Sequence, residues 1–353
     1  MTNTSKDVIG IGNAIVDILS KVNETFLKKY ELDKGIMTLI GAERAEELFQ
    51  AMPQPTLVPG GSAANTLVGI ASLGGDAAYL GKVRQDFFGR EFNEGLIRMG
   101  VNHLTPLAKK GPPTAQSLIF ITPDAERTMQ TCLGISVELN IKDIDRDTIA
   151  ASKITYLEGY LFDPPDAKRA FLKAAEIAHS FGRKVALSLS DAFCVVRHRE
   201  EFKNFIFRNV DFLFANEAEI ISLFEVKEFE QAAFLVKDLC ELAALTRGDR
   251  GSVIVDSDGP TKVPAQSVVE VVDTTGAGDL FAAGFLFGVS RGFEAQRSAY
   301  IGSLCAAEVV QHIGARPESS LKKLFIESGI ENAYILFSLL KKQDLPVLKL
   351  IEF

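Results

Sequence analysis

The sequence predicts an α/β fold in which a doubly wound, mostly parallel sheet carries a small β-sheet lid. Short apolar runs of strand length alternate with amphipathic helical stretches along most of the chain. Two regions, near 13–40 and 103–132, break that alternation with β-like segments and no helices between them, which is the reason to place them in a separate lid. The 47% hydrophobic content of the 353 residues is enough for a large core.

In chain order, "VIGIG" (8–12) reads as the first strand. "AIVDILSKV" and "IMTLI" follow as lid segments. "AAYLGKV" (77–83) returns to the main sheet, and "TAQSLIFIT" and "ERTMQTCL" complete the lid. "KITYLEGYL", "KVALSLS", "VDFLFAN" and "LAALTRG" then read as strands, with amphipathic helices at 166–181 and 229–239 between them. Residues 1–330 are expected to form one domain. Residues 331–353 form an apolar C-terminal extension containing Pro346, to which no role is assigned.

Lysine plus arginine number 38 against 46 acids, giving a net charge of -8 without a basic block. This speaks against nucleic acid or an anionic membrane as partner and for a small-molecule enzyme. The N-terminus lacks a secretory pattern, and no run nears the roughly 18 apolar residues of a membrane span. A soluble cytoplasmic protein, monomer or homodimer, is expected. Cys132, Cys194, Cys240 and Cys305 lie far apart, as do His103, His179, His198 and His312, so no nitrogen–sulfur metal cage is predicted.

"DTTGAGDLFAAGF" (273–285) places two glycines and an alanine directly before an acid that opens an apolar helix. Such a backbone gathers amide donors into a concavity at a helix N-terminus, where an oxyanion binds. Asp279 reads either as a first-turn acid that complements the helix dipole or as a base beside a bound phosphoryl group. The second reading also explains Gly276 and Gly278, since a transferring phosphoryl group needs amides and the attacking alcohol needs a carboxylate next to them.

"PGGSAANTLVGIASLG" (59–74) offers Gly60 and Gly61 for close backbone approach, and Asn65 as donor and acceptor for vicinal hydroxyls; a helix packed on the sheet by its small residues gives the same letters. In "GNAIVD", Asp17 stands on an apolar strand, either at a sheet surface or aimed at a polar ligand. "FANEAE" sets Asn216 and Glu219 three apart at a strand–helix junction, as a helix cap or as contacts to phosphate and magnesium-bound water. "LTRGDRGS" offers Thr246, Gly248 and Gly251 for a nucleotide-side loop or for a hairpin turn. No G-x-x-x-x-G-K-[ST] or G-x-S-x-G occurs, and "GIGNAIVD" lacks the third glycine of a dinucleotide loop, which disfavours a nicotinamide-dependent reductase.

Together these stretches resemble the ribokinase-like (PfkB) carbohydrate and nucleoside kinases over roughly residues 6–325. "GGSAANT" looks like the family's first signature and "DTTGAGDLFAAGF" like its second. "AERTM", "LGISVEL", "EGYLFDPP" and "LSLSDAFCV" look most like bacterial adenosine kinases. The resemblance implies ATP and Mg2+, and transfer of the γ-phosphoryl group to the 5′-hydroxyl of adenosine. A sugar kinase of the ribokinase or fructokinase type, or a ligand-binding relative without turnover, is the alternative.

By motif match, Asp279 is the base and the amides of Gly276, Ala277 and Gly278 form the anion hole, with Thr275 on the nucleotide side. Asp17, Gly60, Gly61 and Asn65 hold the ribose hydroxyls, and Asn13 sits near the base or sugar. Asn216 and Glu219 organise phosphates and magnesium. Arg127 matches a lid arginine that meets the phosphates, or is a solvated surface arginine. Tyr160 and Phe162 stack on a purine or are core aromatics. Some members use a monovalent cation such as K+ beside the second signature, for which Asp273 is the candidate contact.

Overall fold

A strand covered on both faces has to be apolar at every position, because consecutive side chains point to opposite sides. The computed structural model, which describes residues 5–124 and 126–330, shows how these runs assemble. In chain order the strands are β1 (Lys6–Ile11), β2 (Ile15–Lys21), β3 (Met37–Leu39), β4 (Thr56–Pro59), β5 (Ala77–Leu80), β6 (Val101–His103), β7 (Ala115–Ile121), β8 (Arg127–Cys132), β9 (Ser152–Glu158), β10 (Lys184–Ser188), β11 (Phe212–Asn216), β12 (Leu242–Thr246), β13 (Ser252–Asp256) and β14 (Gly259–Val263).

Among the described residues the main sheet runs β14-β13-β12-β11-β10-β9-β1-β5-β6. It is parallel from β6 to β12, and the β13–β14 hairpin adds an antiparallel edge. Alternation along each strand feeds two cores: Val8, Tyr156, Phe212 and Phe214 point to one layer, Ile9, Ile11, Leu157 and Leu213 to the other. Strand order reverses at β1, so the carboxyl ends of β1 and its neighbours border a crevice suited to a ligand.

The helix Ala277–Ser290 is apolar all round because it is covered on every side, with each residue from Leu280 to Gly288 buried. Each fully buried leucine or phenylalanine there contributes about 1.5–3 kcal/mol, which holds the helix start in a fixed place.

The smaller sheet runs β3-β8-β7-β2-β4. Three differences from the sequence reading stand out. A short helix, Glu24–Lys29, capped by the Asn23 side chain, lies inside the first lid segment, which was expected to be free of helices. The lid also takes β4, outside both expected segments, paired antiparallel to β2. At the start of the second segment, β6 belongs to the main sheet instead. The C-terminal extension lies outside the described residues.

Candidate active site

Asp279 is the third residue of the buried helix, whose N-cap Gly276 has φ 81°. A Cβ on Gly276 would lie 2.6 Å from Ala315 Cα, so both the dihedral and the crowding require glycine. The bend leaves the N–H groups of Gly276 and Gly278 without partners among the described residues, and the space beside Gly278 is open. The Ala277 N–H instead donates to the Thr274 carbonyl at 3.2 Å. The cup is therefore made by the glycine amides, and Ala277, expected as a third donor, spends its proton on the turn.

The helix Ser62–Ser72 brings two donors to the carboxylate: Ser62 Oγ donates to Asp279 Oδ1 at 2.6 Å and Asn65 Nδ2 to Oδ2 at 3.0 Å. Three residues apart, the two share a helix face. Burial pushes the Asp279 pKa up to about 6, against the pull of these bonds and of the Arg316 charge. Neither Ser62 nor Arg316 was singled out in the sequence.

Glu158, at the end of β9, was not anticipated either. The helix Ser62–Ser72 begins at Gly61, which has no side chain to cap it. Glu158 Oε2 accepts from the Ala63 N–H at 2.9 Å, and Oε1 accepts from the Asn13 N–H and Nδ2 at 3.1 and 3.0 Å. A carboxylate from another strand thus caps the helix and fixes Asn13, whose buried Oδ1 has no partner. Burial pushes the Glu158 pKa up to about 7.

Asp17 shares a face of β2 with Ile15 and Leu19, while Val16 and Ile18 are buried on the other. Gly60 lies tight against it, since a Cβ there would sit 2.3 Å from Asp17 Oδ2. Desolvation pushes the Asp17 pKa up to about 7 despite Arg316 and Arg127 nearby. Asp17, Asn65, Arg127, Thr275 and Arg316 line one cleft of about 630 Å³ between the lid and the helix and loop residues Asn65, Thr275 and 313–318, with aliphatic side chains such as Leu19, Val58 and Ile121 also in its wall.

Arg127 is no free surface arginine. From β8 its Nη2 donates to Asp273 Oδ2 at 2.5 Å and its Nη1 to Thr275 Oγ1 at 3.1 Å, joining the lid to the loop before the cup. Asp273 also accepts from the Thr275 N–H and Oγ1 and from the Gly314 N–H. Burial opposes its charge, but these bonds prevail and hold its carboxyl below the usual range.

Asn216 and Glu219 form a reciprocal helix cap: Asn216 Oδ1 accepts from the Glu219 N–H, and Glu219 Oε2 from the Asn216 N–H, both at 2.9 Å. Glu219 is buried, which raises its pKa to about 7, and it lies within the field of Asp191 and Asp279. Among the described residues no three His, Cys, Asp or Glu side chains gather as a metal-holding group. Thr246 ends β12, and Gly248 and Gly251 lie on its connection to β13, so the hairpin-turn reading describes their backbone.

Phe162 departs from the stacking expectation. It is buried, with its ring stacked on Phe202 at 3.9 Å between centroids, and so is a core aromatic. Tyr160, in the same turn, stays exposed. No helix among the described residues is long and apolar enough to cross a membrane.

Comparison with known proteins gives the same picture. The chain is similar to the crystal structure of adenosine kinase from Sinorhizobium meliloti, at 46% identity and a TM-score of 0.85, covering 92% of this chain and 100% of that one. A probable sugar kinase from Rhizobium etli is similar at 45% identity and a TM-score of 0.86, covering 93% and 99%. Adenosine kinase of Saccharomyces cerevisiae is 28% identical over 334 residues, 87% of this chain and 95% of that protein. The pfkB family carbohydrate kinase profile matches residues 32–322, and with the paired carboxylate and glycine amides this shows the chain to be a phosphotransferase of the PfkB family.

Proposed function

We propose that the protein transfers the γ-phosphoryl group of ATP to the 5′-hydroxyl of adenosine, giving AMP and ADP. The observation that carries this reading is the meeting of a buried carboxylate and unpartnered backbone amides at one helix start, beside a cleft lined by Asp17. Asp279 takes the proton of the attacking hydroxyl, and the Gly276 and Gly278 amides receive the charge that develops on the phosphoryl oxygens. Asn65 and Asp17 hold the sugar hydroxyls, with Gly60 and Gly61 giving close backbone approach. The aliphatic wall of the cleft offers an apolar face to a purine.

Magnesium, when bound with ATP, neutralises phosphate charge; the buried oxygen donor Glu219, with Asn216 at the end of β11, suits a water-mediated hold on it. Arg127 closes the lid and keeps water from the base. Any monovalent cation at Asp273 would compete with Arg127 for the same carboxylate.

The likeness to the probable sugar kinase and the burial of Phe162 favour a second reading, a sugar acceptor. ADP release measured over adenosine, other nucleosides, ribose and fructose separates the two. Turnover with adenosine well above the sugars is expected; turnover with ribose or fructose alone would replace the nucleoside reading, and none with any acceptor would end both.

A further inference from the structure

Arg316 lies in the loop between the helices Ala295–Val309 and Leu321–Glu327 and is 8% exposed. A buried guanidinium is costly unless its donors are used. Its Nε donates to Asn65 Oδ1 at 3.1 Å and its Nη1 contacts Met99 Sδ at 2.9 Å. Arginine has only donors, so it draws the Asn65 carbonyl towards itself and leaves the Asn65 amino group for Asp279. Its Nη2 has no partner, although the residue lines the cleft.

Burial lowers the Arg316 pKa, and the carboxylates of Asp17, from the lid, and Asp279 oppose that fall. No ion pair joins Asp17 and Arg316 among the described residues, although both line the cleft, so a buried donor without a partner and a desolvated carboxylate belong to one site. A hydroxyl group suits such a pair, since it donates to a carboxylate and accepts from a guanidinium.

We propose that Arg316 is an acceptor-binding residue: its Nη2 donates to one hydroxyl of the acceptor's vicinal diol, and that hydroxyl donates to Asp17. The pair reads the sugar by a group that both gives and takes a hydrogen bond. This rests on the reading of the cleft as the acceptor site.

The test compares kcat/KM for adenosine with 2′-deoxyadenosine and 3′-deoxyadenosine in the wild-type protein, Arg316→Met and Arg316→Lys. The wild type is expected to disfavour one deoxy analogue by about tenfold or more, a loss of about 1.4 kcal/mol, because the buried donor is left unpaired. In Arg316→Met that preference should shrink to within about threefold, whatever the fall in overall rate. The ratio is insensitive to general damage, which lowers all three substrates together. Should Arg316→Met not fold, Arg316→Lys, which keeps the charge but loses the fork, is expected to lose the preference as well.

A wild-type preference that survives in the soluble variants, or no preference in the wild type, overturns the proposal. If the wild type acts on ribose and not adenosine, the nucleoside reading fails separately. The same cycle on ribose and 2-deoxyribose then decides the role of Arg316 by the same outcomes.

Discussion

Asp279 keeps a donor on each carboxyl oxygen while burial raises its pKa to about 6. Only the ionised form accepts a proton, so activity rises with pH through that value and falls by up to about tenfold per unit below it. The expected kcat/KM profile has an acid limb with its midpoint near 6. Ser62→Ala removes a bond that favours the charged form and should move the limb to higher pH. A profile flat from about pH 5 to 8 would contradict the base assignment. Asp279, Gly276 and Gly278 were legible because the cup needs consecutive residues, which leave a pattern in the sequence. Ser62, Arg316 and Glu158 were not. Ser62 meets Asp279 across 217 positions and Arg316 meets Asn65 across 251, and a polar residue brought in by tertiary packing has no local signature.

The lid is held to the loop before the helix Ala277–Ser290 by the ion pair between Arg127 on β8 and Asp273, whose side chains are 21% and 9% exposed. Removing one partner of such a partly buried pair leaves the other charge uncompensated, which costs more than losing a surface pair. Arg127→Met should loosen the closed lid: kcat/KM for the acceptor is expected to fall by about 10- to 100-fold, and acceptor-independent ATP hydrolysis to rise relative to kcat as water gains access. Unchanged hydrolysis together with unchanged kcat/KM would show that the contact does not govern closure. Most of the lid could be read from alternation in β2, β7 and β8. β4 escaped because Thr56–Pro59 is four residues ending in proline, too short to show a period, and the helix Glu24–Lys29 because it is less than two full turns.

At the scale of the whole molecule, the parallel sheet was readable because burial on both faces favours near-continuous apolar runs, and β1, β11 and β12 have them. The cleft was not, because it arises where the lid meets helix and loop residues distant in the chain, such as Asn65 and Arg316. A ligand that closes it stabilises the folded state by mass action, by about 2.7 kcal/mol at a hundred times its Kd. Adenosine is therefore expected to raise the thermal midpoint by a few degrees while fructose at equal concentration does not; the reverse order would favour the sugar reading. Asp279 and the glycine amides serve one transfer, the carboxylate acting on the alcohol and the amides on the phosphoryl oxygens, and Asp279→Asn tests this most directly, because it keeps the side chain's size and removes its basicity. Measured side by side with the wild type, the variant should bind adenosine within about threefold of normal and turn over about 10² to 10⁴ times more slowly. Near-normal kcat in a folded, adenosine-binding Asp279→Asn protein would contradict the account.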